Sequence, residues 1–116
     1  MDELVVERVL RAVEQVPRGR LVAYGDIAAL VGTGPRQVGS IMRHWGSTVP
    51  WWRVTNASGE LPPHLRDEAR ELWAQEGILP GRRGRGAELA RYRADPGALA
   101  EAFERACVDL EPSDHG

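Results

Sequence analysis

Two short apolar-periodic segments joined by Gly32-Thr33-Gly34-Pro35 constrain this chain more than any other feature. Gly25 and Asp26 open the first segment, which runs to about Val31 with Gly32 as its C-terminal cap. The second spans Arg36 to His44 and carries Val38, Ile41 and Met42 on one face. Two short helices joined by a glycine turn are the pattern of a helix-turn-helix. Ahead of them, Asp2 to Val16 places Leu4, Val5, Val9, Leu10 and Val13 at helical spacing, which predicts an amphipathic helix capped by Asp2 and ended by Pro17.

Val49 to Thr55 reads as an extended segment, Asn56 to Gly59 as a turn and Glu60-Leu61 as the returning strand, which together predict a small β-hairpin wing. Pro62-Pro63 breaks the chain, and His64 to Glu76 forms a further helix with Leu65, Ala69, Leu72 and Trp73 inward and Gly77 as its cap. Residues 80–86, PGRRGRG, read as a flexible basic linker. Ala87 to Leu110 reads as helix interrupted at Asp95-Pro96, and the final EPSDHG as a frayed end. The expected fold is therefore mainly α: a winged helix-turn-helix domain over residues 1–79, followed by a basic linker and helical C-terminal extension over 80–116.

A chain of 116 residues is long enough for one core without staples and too short for two. The single cysteine, Cys107, excludes an internal disulfide framework and a cysteine zinc cluster, so no metal and no cofactor are expected. The N-terminus MDELVVERVL carries acid where a signal peptide would carry base, and no apolar run reaches the ~18 residues of a membrane span. A cytoplasmic protein is expected. The net charge of −2 hides a strong asymmetry. Residues 8–53 hold seven arginines against Glu14 and Asp26, a local +5, whereas residues 54–116 hold eight arginines against twelve acids. The first half can meet phosphate while the second faces away.

The blocks VPRGRLVAYGDIAALVG, PRQVGSIMR, PWWRV and ELWAQEGI, in this order over about residues 5–79, resemble the DNA-binding domain of the O6-alkylguanine-DNA alkyltransferases. In the active enzymes the third of these blocks begins Pro-Cys-His-Arg, with the cysteine as irreversible alkyl acceptor. Here it reads Pro50-Trp51-Trp52-Arg53. A tryptophan at the cysteine's place marks the alkyltransferase-like proteins, and the resemblance implies a protein that binds the lesion without dealkylating it. The implied partners are double-stranded DNA carrying O6-alkylguanine and, downstream, nucleotide excision repair proteins; a monomer on the nucleoid is expected.

The resemblance also assigns residues. Tyr24 matches the tyrosine that presses on the phosphate 3′ to the lesion and helps rotate the nucleotide out; a core tyrosine closing the first two helices is the plainer reading. Arg36 matches the arginine finger that fills the gap left by the flipped base, where a planar guanidinium can stack and hydrogen-bond the orphaned cytosine. Val38, Gly39 and Ser40 match the recognition-helix face laid in the minor groove, with Gln37 and Arg43 among the DNA contacts. A mid-helix glycine costs about 1 kcal/mol relative to alanine, so Gly39 calls for either a packing or a contact reason. Trp51, Trp52, Arg53 and Val54 match the lesion pocket, and an indole is neither nucleophile nor base at neutral pH, so no catalytic residue remains. Glu76 matches the acid that orients the enzyme's histidine; without that histidine it is expected to bond Arg53 or a helix end in a structural role.

The chain departs from the pattern at three places. Trp52 stands where histidine usually persists, Met42 to Pro50 is about two residues short, and Glu60 to His64 replaces the loop that covers the enzyme's pocket. Alternatives stay open at this level. A winged-helix regulator reading base edges in the major groove would share the fold, although small residues at 38–40 suit it poorly. A protein-interaction module using the acidic half is a second, and an active transferase relying on Cys107 a third.

Overall fold

A computed structural model describes residues 2–82 and 84–110. Residues 111–116, read from sequence as a frayed end, lie outside the described residues.

Helix α1, Glu3–Glu14, starts where Asp2 Oδ1 accepts the Leu4 amide at 2.9 Å, as a side-chain cap should, and buries Val9, Ala12 and Val13. The strand β1, Val22–Ala23, leads without a break into α2, Tyr24–Val31. Gly32 ends α2 at φ 86°, a left-handed conformation that a side chain would strain, and α3, Pro35–Trp45, follows with proline at its first position. Ile27 and Ala28 of α2 share one core cluster with Val38 and Ile41 of α3, so the two helices pack across the glycine turn as a helix-turn-helix. These helices fall within a residue or two of the sequence reading.

The wing differs. Pro50 has no N–H and its fixed φ favours a turn, and Trp51–Arg53 forms one turn of 3-10 helix closed by Arg53 N donating to Pro50 O at 3.1 Å. Of this stretch, Val54–Thr55 forms the strand, β2. Its partner is β1, in parallel, with Val22 opposite Val54 and Ala23 opposite Thr55. The Asn56 turn does close, with Asn56 N donating to Glu60 O at 2.9 Å, yet Glu60 continues toward Gly86 instead of pairing back on β2. The expected two-stranded hairpin is thus a tight turn whose flanks bond elsewhere. Burial decides this: Val22, Val54 and Thr55 are all fully enclosed, and a two-residue strand shares its ladder with whichever apolar strand the core brings beside it.

After the turn, Pro63–Leu65 makes a 3-10 turn and α4 runs Arg66–Glu76 to Gly77, burying Ala69 and Trp73. The stretch read as a linker closes on itself, with Gly81 N donating to Gly86 O at 2.6 Å and Pro80 bridging Ala87. Gly59 is required here: a Cβ on it would lie 2.0 Å from the Ala87 carbonyl oxygen. The short helix α5, Leu89–Tyr92, and α6, Pro96–Ala106, then return the chain to the core, the break between them falling at the expected Asp95-Pro96.

Two clusters hold the molecule together. Val9, Val13, Ile27, Ile41 and Val54 meet Leu99, Phe103 and Cys107 in the first, so α6 completes the core that α1 begins. Leu21, Leu61, Trp73, Ile78, Leu89 and Tyr92 form the second, against which Trp51 and Trp52 pack. Among the described residues no helix is long and apolar enough to cross a membrane.

Candidate functional site

Helix α3 presents a stripe. Arg36, Gly39, Ser40 and Arg43 recur at spacings of three and four and therefore share one face, turned away from Val38 and Ile41. Arg36 and Arg43 are exposed and have no ion pair among the described residues. A Cβ added to Gly39 would meet nothing within 4 Å, so no neighbouring helix explains this glycine. Val38, expected on the contact face, is instead 0% exposed, because its position on α3 is the one that packs into the core between α1 and α2. Gln37 is half-buried and its Oε1 accepts the Thr33 hydroxyl, which joins it to the turn.

Tyr24 is the first residue of α2 and half-buried. Burial raises its phenol above the ordinary value of 10.0, and the positive charge of nearby Arg43 pulls the other way. Tyr24 thus feels the charge of one arginine of the α3 stripe.

The Trp51–Arg53 turn is anchored from below by Glu76, whose side chain is 3% exposed. Its carboxylate accepts four hydrogen bonds: Arg53 Nε at 3.0 Å, Arg53 Nη2 at 2.8 Å, Trp52 Nε1 at 2.8 Å and the Gly19 amide at 2.9 Å. Burial works to raise the Glu76 pKa, but the bonds from Arg53, Gly19 and Trp52 outweigh it and hold the group below its ordinary value of 4.5. Arg53 also donates from Nη1 to Val16 O at 2.9 Å, and its guanidinium carbon lies 5.5 Å from the centre of the Trp52 ring.

Trp52 is held at both ends, since Trp73 Nε1 also donates to its carbonyl at 2.7 Å. Trp51 stands edge-on to Trp52, with centroids 5.7 Å apart and planes at 88°, and remains partly exposed. Val54, expected in the pocket wall, is 0% exposed because β2 turns its side chain into the core. Of the four residues expected to form a pocket, Val54 is therefore enclosed, while Trp51, Trp52 and Arg53 each keep part of their surface exposed. Cavities of about 480 and 200 Å³ lie among α1, α2 and α6 and include neither tryptophan.

Sequence reasoning missed the supports. Gly19, at φ 81° in the Pro-Arg-Gly turn, aims its amide at Glu76, and Arg18 donates to the Gln75 carbonyl, so the turn after α1 clamps the end of α4. The signal was the positive-φ glycine of that turn; its distant partner had none. The acceptor role of the Trp52 carbonyl left no trace in the sequence at all.

A helix-turn-helix with an unpaired arginine stripe and a rigid aromatic turn defines a helical DNA-binding protein. The chain belongs to the family described as 6-O-methylguanine DNA methyltransferase, DNA binding domain, which it matches over residues 5–78. A DNA base-flipping protein of Escherichia coli is 37% identical over 94 residues, 75% of this chain and 71% of that protein. Alkyltransferase-like protein 1 of Schizosaccharomyces pombe is 42% identical over 65 residues, 53% of this chain and 59% of the relative. The crystal structure of S. pombe Atl1 in complex with damaged DNA containing O6-carboxymethylguanine matches with a TM-score of 0.71 at 28% identity, covering 83% of this chain and 99% of that one.

Proposed function

We propose that this protein, as a monomer, binds double-stranded DNA containing O6-alkylguanine, flips the damaged nucleotide toward Trp51 without alkyl transfer, and marks it for nucleotide excision repair. The observation that carries this reading is the pairing of two features: an open arginine-glycine-serine-arginine stripe on α3, and Trp51, where the family's acceptor cysteine would stand, set edge-on to a Trp52 that Glu76 holds. The damaged-DNA complex of a protein matching 83% of this chain supports it.

In this reading α3 lies in the minor groove. Gly39 and Ser40 allow close approach, Arg36 enters the stack in place of the flipped base, and Arg43 and Gln37 contact the backbone. Tyr24 presses the phosphate. Alkyl transfer is excluded by chemistry: Trp51 and Trp52 supply neither thiolate nor base. Cys107 is no substitute, being buried among α1 and α6 residues in the cluster that does not include Trp51. Residues 1–79 carry the DNA contacts, and α6 supports them by completing the core.

Equilibrium binding to matched duplexes with and without one O6-methylguanine tests the proposal. Tighter binding of the damaged duplex is expected, by ~10-fold, from one buried methyl at about 0.8 kcal/mol plus the easier unpairing of a damaged base. Equal affinity for both duplexes would leave a general DNA binder, and none for either an interaction module. Methyl label should stay on the DNA; stoichiometric label on the protein would overturn the non-enzymatic half.

A further inference from the structure

Arg93 lies outside the matched residues 5–78, yet it reaches the start of α2. Its Nη2 donates to both oxygens of Asp26, each at 2.9 Å, and its Nε to Asp26 Oδ2 at 3.2 Å. Asp26 Oδ2 in turn accepts the Ala23 amide at 2.8 Å, one of the donors that the first turn of a helix leaves without an internal partner. Tyr24 lies between Ala23 and Asp26. The backbone of the same C-terminal segment runs along the chain leading into it: Leu21 N donates to Tyr92 O at 2.8 Å, and Ala94 N to Leu21 O at 2.9 Å.

We propose that Arg93 is a positioning residue for Tyr24: by fixing the Asp26 carboxylate that caps α2, it sets the direction from which Tyr24 meets the DNA backbone. This use rests on the role given to Tyr24 above. The first turn of α2 is also tied down by Ile27 in the core and by Ala23 opposite Thr55, but its eight residues are too few to be stable without such outside contacts, and the bond to the Asp26 cap is the one that the C-terminal segment supplies. A bidentate guanidinium with the backbone on both sides of it bonded to Leu21 gives that turn one orientation. The side chains of Arg93 and Asp26 are 44% and 31% exposed, so solvent screens the pair and its effect is modest, about two- to five-fold.

The test uses the full chain with Arg93→Gln and Arg93→Lys. In the free protein, amide exchange at Ala23 should quicken about two- to five-fold in Arg93→Gln and partly recover in Arg93→Lys, while Ile41 in α3 is unchanged. On DNA, the fluorescence rise of 2-aminopurine at the target position should fall by a similar factor, with affinity and salt slope on undamaged duplex kept. Unchanged exchange at Ala23 overturns the clamp. Faster exchange throughout the core, with equal loss on both duplexes, overturns positioning in favour of general stability. Faster exchange at Ala23 alone, beside a parent protein that neither flips nor prefers the lesion, upholds the clamp and overturns the role of Tyr24 instead.

Discussion

Replacing Gly39 by alanine separates what α3 needs for folding from what it needs for DNA. The added methyl meets no atom within 4 Å and the backbone there is ordinary right-handed helix, so the free protein gains helix propensity at no steric cost. A gain of about 0.5–1 kcal/mol follows, partly from a less flexible unfolded chain, which for a domain of this size is a rise in Tm of about 2–5 °C. On DNA, under the proposed minor-groove reading, the same methyl stands between Arg36 and Arg43 against the groove wall, and an overpacked contact costs about 1–3 kcal/mol. Affinity for duplex should therefore fall by roughly 5- to 150-fold while stability rises. Calorimetry of the free protein and fluorescence anisotropy with a labelled duplex measure the two sides independently. A raised Tm with undiminished DNA affinity would refute the close approach of this face, and a lowered Tm would refute the assignment of Gly39 as unpacked.

Other substitutions probe the remaining parts. Arg36→Ala and Tyr24→Ala should each weaken lesion binding by about 1–3 kcal/mol in the same anisotropy assay, the range for losing a base-contacting or stacking group; parental affinity in both would refute their assignment. Glu76→Ala strands the largely buried Arg53 and should cost about 3–5 kcal/mol in urea unfolding, and a cost near zero would mean the four bonds to Glu76 do not form. Because the folded pKa of Glu76 lies below 4.5, its stabilising contribution is complete above about pH 4.5 and disappears as pH falls through the lower folded value. The stability gap between the parent and Glu76→Gln should accordingly narrow on acidification; a gap that widened would contradict that direction. Trp51→Ala should reduce lesion preference more than binding to undamaged duplex, since phosphate contacts lie elsewhere, and equal loss on both would place Trp51 in the core alone.

Helix positions were legible because each carries its own local signals: Asp2 as cap, Pro17 and Gly32 as stops, Gly77 after α4, and apolar residues at helical spacing between them. That position 51 holds a tryptophan and no thiol was legible directly, since it depends only on the residue itself. Local periodicity also separates Arg36 and Arg43 from Ile41, since the turn of one helix decides which face they share. Strand pairing was not legible. Val54 and Thr55 are extended by their own preference, but whether they pair with Leu61 across a turn or with Val22 from thirty-two residues earlier depends on which surface the whole core leaves beside them. The Glu76–Arg53 bond was expected only through the family resemblance; the bonds that bring Gly19 and Trp52 to the same carboxylate were not legible, nor was Arg93, whose partner Asp26 is 67 residues away. A hydrogen bond constrains only the atoms that meet, so contacts between distant segments leave no periodic mark in the chain and arise only when tertiary packing closes the distance.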